Sequence, residues 1–437
     1  MKKYTLFVIV LLLSLVVDAQ VKRTIHVATA GTLSNYISED EKYQIEELTL
    51  TGEINGDDLG FITDMAGVKH IISYWRDTTT DGKLSVLDIS NANIVAGGCY
   101  SADESQTSHF DYVYNYLTDD NTIPKRLFVN CNNFTKIVLP KNLKSIGSWA
   151  FCGCNGLTSI VIPATVSSIN EAAFSSCKSL SSINVEAGNL FYDSRNNCNA
   201  IINKNNQLIV GCKNSVIPNG VTSINSYAFY GCTGLTSMNI SDNVTSIGDF
   251  AFYGCNNIVY FTLPNSLTSI GNSAFIDCIN LTDVYCAADN VPYVDNPNNT
   301  FTNPGNITLY VPSTSLEAYK STDPWKYFKR IYYLNNNTTQ NQEKCSKPTI
   351  SIVDEKFIFS CETPDVNYRW SISTLNGNNG YGNSTSQITL NVYATKNGYQ
   401  NSDVTTYEFP SLVGDVNNDG KVNVADHVKL SDIIMNK

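Results

Sequence analysis

The amino-acid sequence predicts a strand-rich α/β solenoid built from 23-residue repeats, followed by a small β-sandwich and a short loop-helix tail. Three observations carry this prediction. Two apolar anchors recur in step through the middle of the chain. Short alternating strands follow a polar break near residue 336. Oxygen-bearing side chains then recur at cation-loop spacing near the C-terminus.

The first element is an export signal. Lys2 and Lys3 precede an apolar run from Leu6 to Val17, and Val17-Asp18-Ala19 supplies the small residues of a cleavage site after Ala19. The run is about a dozen residues, against roughly 20 for a bilayer span, and no cysteine follows to take a lipid. Cleavage of residues 1–19 moves the formal charge from −11 to −12. The mature chain is thus expected to be secreted or at the cell surface, acidic and not membrane-spanning, with no basic tract for nucleic acid or anionic lipid. Residues 20–127 read as an N-terminal cap of irregular repeats, with strands at Glu47–Thr51 and Leu84–Ser90 beside Asn91–Ile94. An aromatic, acidic excursion spans Tyr100 to Pro124.

The repeats dominate residues 128–335. Phe128, Phe151, Phe174, Phe229, Phe252 and Phe275 each precede a cysteine by three positions (Cys131, Cys154, Cys177, Cys232, Cys255, Cys278), at spacings of 23, 23, 55, 23 and 23. Ile146, Ile169, Ile224, Ile247 and Ile270 keep the same register. Each unit opens on an alternating strand such as Leu157–Ile162, ended by a proline (Pro140, Pro163, Pro218, Pro264) that cannot donate to a ladder. A second short strand carries the isoleucine. The phenylalanine then falls in a compact helical or turn segment and points into the stack. The chain has 13 cysteines, an odd number, and those that repeat at fixed spacing read as small buried side chains rather than a disulfide framework. Stacking also predicts that Phe252→Ala, in mid-array, destabilises more than Phe128→Ala at its start.

These units resemble BspA-like leucine-rich repeats, whose pattern of Leu-Thr-Ser-Ile, Pro, Val-Thr-Ser-Ile-Gly, Ala-Phe and Cys is nearly written out here. The resemblance covers roughly residues 128–335, including a closing strand Thr308–Pro312 and an end-cap cluster of Tyr319, Trp325, Phe328 and Ile331. The 55-residue gap contains one period and an insertion at 186–217. Ala200–Asn203 and Gln207–Val210 around Lys204-Asn-Asn206 read there as a hairpin, of a kind the repeat family also uses.

Residues 336–345 form a polar linker. Five alternating strands in 346–410, at Thr349–Val353, Phe357–Ser360, Tyr368–Ile372, Gln387–Tyr393 and Thr405–Phe409, predict an immunoglobulin- or fibronectin-like sandwich. Within and just before it, Cys345 and Cys361 leave a disulfide open. In residues 411–437, Asp415, Asn417, Asp419, Lys421 (through its carbonyl), Asn423 and Asp426 occupy calcium-loop positions, with Gly420 at the sharp turn. Three gathered carboxylates would repel without a cation, so one Ca2+ is expected. This loop, with a helix over Val424–Met435, resembles one half of a type I dockerin. A complete dockerin carries two such loops, so cohesin docking is implied only weakly.

No enzyme is expected. The four histidines make no zinc spacing, and nucleophile-elbow and phosphate-loop motifs are absent. The resemblance implies an exported, monomeric binding or adhesion scaffold for an extracellular protein or glycan. Alternation along the first strand of each repeat points Ser159, Ser182, Asn184, Ser237, Asn239, Tyr260, Thr262, Asp283 and Tyr285 outward as its ligand face, with Tyr260 and Tyr285 as anchors. The second reading is an accessory component of a polysaccharide-degrading assembly, recruited through the dockerin-like tail to a cohesin.

Overall fold

The computed structural model describes residues 21–71, 76–99, 117–334, 345–353, 356–362, 367–376, 386–395 and 405–408. The signal segment, residues 100–116 of the aromatic excursion, the linker up to residue 344 and the entire calcium loop lie outside the described residues. The chain divides into two compact units: Met1–Leu180 with Val185–Phe191, and Ser181–Asn184 with Tyr192–Lys437.

In the first unit, the strands Lys22–Val27, Glu47–Ile54, Val86–Ile94, Lys136–Val138 and Ser159–Ile162 lie side by side in one parallel sheet. Leu48, Leu87 and Ile137 occupy one register column and are buried, so the irregular N-terminal strands share a core with the regular repeats. A second parallel sheet joins Thr122–Ile123, Ser145–Ile146 and Ser168–Ile169, which puts Ile123, Ile146 and Ile169 in register. One helix, Gly56–Met65, lies between strands of the first sheet in sequence and buries Leu59, Ile62 and Met65, three residues apart on one face. Asn55 and Asp58 cap its start, and Gly67, in the left-handed region at φ 95°, follows its end.

The second unit repeats this plan. Ser237–Asn239, Tyr260–Leu263, Asp283–Cys286, Thr308–Pro312 and Arg330–Leu334 form a parallel sheet. Its inner column of Met238, Phe261, Val284 and Leu309 is buried. The isoleucine strands at 223–224, 246–247 and 269–270 form the other sheet, which ends at Tyr293–Val294. The predicted hairpin is present, and it also does something its position in the insertion did not indicate: Gln207–Val210 pairs parallel with Ser223–Ile224, placing Leu208 in the isoleucine column. The insertion thereby supplies the next strand of the repeat sheet.

The phenylalanines lie in turns, not helices. Each turn holds two residues at positive φ, for example Trp149 (60°) and Gly153 (74°), or Phe250 (54°) and Gly254 (69°). The rings stack through each unit: Phe128 on Phe151 at 5.4 Å, Phe151 on Phe174 at 5.0 Å, then Phe229 on Phe252 at 5.0 Å and Phe252 on Phe275 at 5.5 Å. Phe301 extends the second stack at 5.1 Å, and Trp325 and Phe328 cover it. The Tyr319 hydroxyl donates to the Ala288 carbonyl, and the Trp325 indole to that of Pro292, so this cap buries no unsatisfied ring donor.

The repeating cysteines do more than fill space. The thiols of Cys154, Cys177, Cys255 and Cys278 donate to the carbonyls of Phe128, Phe151, Phe229 and Phe252, at 3.0–3.2 Å. Each of these carbonyls sits one repeat back. The Phe128 carbonyl also accepts the Cys131 amide, and that of Phe229 the Cys232 amide, so both oxygen lone pairs are used. Burial pushes the thiols of Cys154, Cys255 and Cys278 well above their ordinary value, so these sulfurs stay protonated as donors. Of the buried cysteines, Cys154, Cys198, Cys212, Cys232, Cys255, Cys278 and Cys286 are free thiols.

The five strands foreseen in 346–410 are present. Thr349–Val353 pairs antiparallel with Lys356–Ser360, and Asn367–Asn376, Ser386–Thr395 and Thr405–Glu408 form a three-stranded antiparallel sheet. Thr405 donates its hydroxyl to the Pro348 carbonyl, linking the last strand to the start of the first pair.

Candidate functional site

The outward residues of the second unit's first sheet fall into two columns. Parallel register aligns Ser237, Tyr260, Asp283, Thr308 and Arg330 in one, and Asn239, Thr262, Tyr285, Tyr310 and Tyr332 in the other. Strands in a sheet stand about 4.8 Å apart, which is stacking distance for aromatic side chains in register. Tyr285 and Tyr310 accordingly stack at 4.6 Å with ring planes 7° apart, and Tyr310 meets Tyr332 at 6.0 Å. Tyr285 and Tyr310 are half-buried, and Tyr332 is 46% exposed at the edge. The result is an in-register tyrosine column, continued along the sheet by Thr262 and Asn239.

This geometry sorts the residues expected on the ligand face. Ser159 is exposed on the first unit's sheet; Ser182 is half-buried and Asn184 exposed on the short strand where the units divide. Ser237 and Thr262 are half-buried, and Asn239 is exposed. Tyr260 and Asp283 differ from expectation, with only 3% and 2% of their surface accessible. Their strand positions are outward, but Tyr260 lies edge-on to Tyr285 at 6.4 Å and packs with Val259, while the Asp283 carboxylate accepts the Thr282 hydroxyl at 2.7 Å. Tyr260 is therefore a support for Tyr285 rather than an accessible anchor. Tyr310 and Tyr332 take that place. The alternation within their strands marks them, but their spacings from Tyr285 depart from 23 residues, which hid the column.

The predicted cation ligands Asp415, Asn417, Asp419, Lys421, Asn423 and Asp426 lie outside the described residues. Among the described residues, no group of three or more His, Cys, Asp and Glu side chains is placed to hold a metal, and no helix is long and apolar enough to cross a membrane.

Residues 121–209 and 207–320 match the family model of the BspA type leucine rich repeat region, in six copies. The repeat array is thus a BspA-type leucine-rich repeat region. No curated protein matches the chain. Solved structures similar to it include the pneumococcal vaccine antigen PcpA, at 15% identity over 72% of this chain and 89% of that one, with a TM-score of 0.41. A leucine-rich cell surface protein of Faecalibacterium prausnitzii shares 21% identity over 71% of this chain and 83% of that one, at TM-score 0.39. A leucine-rich repeat protein of Bacteroides ovatus shares 18% identity over 61% of this chain and 67% of that one, at TM-score 0.35.

Proposed function

We propose that this chain is an exported, non-catalytic binding scaffold that recognises an extracellular protein or glycan through the outward face of its leucine-rich repeats. The observation that carries this reading is the in-register column Tyr285–Tyr310–Tyr332. Stacked tyrosines lose little conformational entropy on binding and offer apolar edges with hydroxyl tips, the chemistry of binding hot spots. The polar neighbours Asn239 and Thr262 supply hydrogen-bonding groups beside them. The strands of 346–410 then serve as a sandwich-like spacer.

The test is a screen of the full chain against extracellular-matrix proteins and glycans, repeated with Tyr310→Ala on each ligand retained. Loss of a central anchor is expected to weaken binding by about tenfold or more. Unchanged affinity in Tyr310→Ala, with the fold intact by circular dichroism, would count against this face.

The tail reading rests on donor spacing alone. Asp415, Asn417 and Asp419 would contribute side-chain oxygens, Lys421 its carbonyl, Asn423 a water-mediated contact and Asp426 the closing carboxylate. Calorimetric titration of the full chain with Ca2+ is expected to show one site, abolished by Asp415→Ala. Absence of binding in the parent protein removes the site. The same variant separates two partners: binding through the tyrosine column survives it, whereas recruitment of a cohesin by the tail does not.

A further inference from the structure

The turns of the second unit carry another aromatic array that neither the ligand face nor the core uses. Tyr227 stacks on Phe250 at 5.1 Å and Tyr230 on Tyr253 at 4.8 Å, and the two pairs lie beside each other, with Tyr227 to Tyr230 at 5.6 Å and Phe250 to Tyr253 at 5.9 Å. All four rings are partly exposed. Tyr227 and Phe250 stand at φ 62° and 54°, a left-handed backbone that bulky side chains rarely adopt. Ala172 and Ser273 occupy the equivalent position in other repeats at φ 57° and 54°, so the turn itself does not require an aromatic ring there.

Charge indicates what such a surface would meet. From residue 214 to residue 319 the chain contains no Lys, Arg or His, and seven carboxylates. One of them, exposed Asp277, accepts a hydrogen bond from the Tyr253 hydroxyl at the margin of the rings, holding that phenol up at about 12. Aromatic rings and carboxylates together, with no competing cation in this stretch, favour a planar guanidinium, which can stack on a ring and pair with a carboxylate at once.

We propose that the turn face formed by Tyr227, Tyr230, Phe250 and Tyr253, with Asp277 at its margin, docks an arginine-bearing segment of a partner protein. This surface is separate from the tyrosine column, and its failure leaves that reading standing. The probe is a labelled oligoarginine peptide, titrated into the full chain and followed by fluorescence anisotropy at about 50 mM salt, where screening is modest. Binding is expected to fall about tenfold in Asp277→Asn and in the double variant Tyr230→Ala/Tyr253→Ala. Tyr253→Phe, which keeps the ring and removes the hydroxyl, is expected to retain most of it, and Tyr310→Ala all of it. No binding of oligoarginine overturns the proposal. So does equal binding of oligolysine, which would show counter-charge without ring recognition, or binding unchanged in both Asp277→Asn and the double variant.

Discussion

Phe252→Ala is expected to destabilise the second unit by about 3–5 kcal/mol, the range for removing a fully buried aromatic side chain. Its ring is fully buried, stacked on Phe229 and Phe275, and met edge-on by Phe261 at 4.9 Å. Much of the loss is the cavity, because the neighbouring turns cannot close over it. The Phe229 amide donates to Ala251 at 2.8 Å and the Phe252 amide to Ala274 at 2.9 Å, which fixes the separation of successive turns. Phe128 is equally buried but stacks on one ring, Phe151, with Phe134 edge-on, so Phe128→Ala is expected to cost less. Guanidinium unfolding of both variants checks the order. A Phe252→Ala loss below about 1 kcal/mol, within the range of an ordinary substitution, would mean that the stack is not cooperative.

The repeated core was legible because one residue per turn does one job. Phenylalanine, isoleucine and cysteine recur at 23, and the structure stacks them. Legibility failed where the period slipped. Phe301 completes the ring stack but follows Phe275 by 26 residues with no cysteine three positions later, so only its position in space reveals it. The strand Lys22–Val27 escaped because only Ile25 and Val27 of its six residues are buried. Helix Gly56–Met65 escaped because Gly56, Gly60 and Thr63 weaken its propensity, although the Asn55 and Asp58 caps were there to read. At the ligand face, alternation assigns each residue a side of its strand. It could not show that Tyr260 and Asp283 are covered, since accessibility depends on neighbours that a strand pattern does not contain. The thiol-to-carbonyl bonds were likewise hidden: fixed spacing implied buried cysteine, but a donor needs an acceptor one turn back, which only the stacking geometry provides.

Asp58→Ala is expected to lower the stability of the first unit by about 3 kcal/mol or more, because it strips an acceptor from several inward-pointing donors at once. One carboxylate oxygen of Asp58 accepts the Gly31 amide at 2.6 Å and the Asn55 amide at 3.0 Å, and the other accepts the Leu33 amide at 2.8 Å. The side chain is 1% exposed, so water cannot replace it readily. It also lies in the first turn of helix Gly56–Met65, where a negative charge meets the positive end of the helix dipole. Asp58→Asn keeps one oxygen and turns an NH2 group toward an amide that needs an acceptor. It should therefore fall between the two, at about 1–3 kcal/mol. Amide hydrogen exchange locates the damage: Gly31, Leu33 and Asn55 should lose protection first in Asp58→Ala, before strand Glu47–Ile54 does. If those three amides stay protected and stability is unchanged, the segment after Val27 is held by its apolar contacts, with Leu33 and Ile37 buried beneath it, and the carboxylate is dispensable.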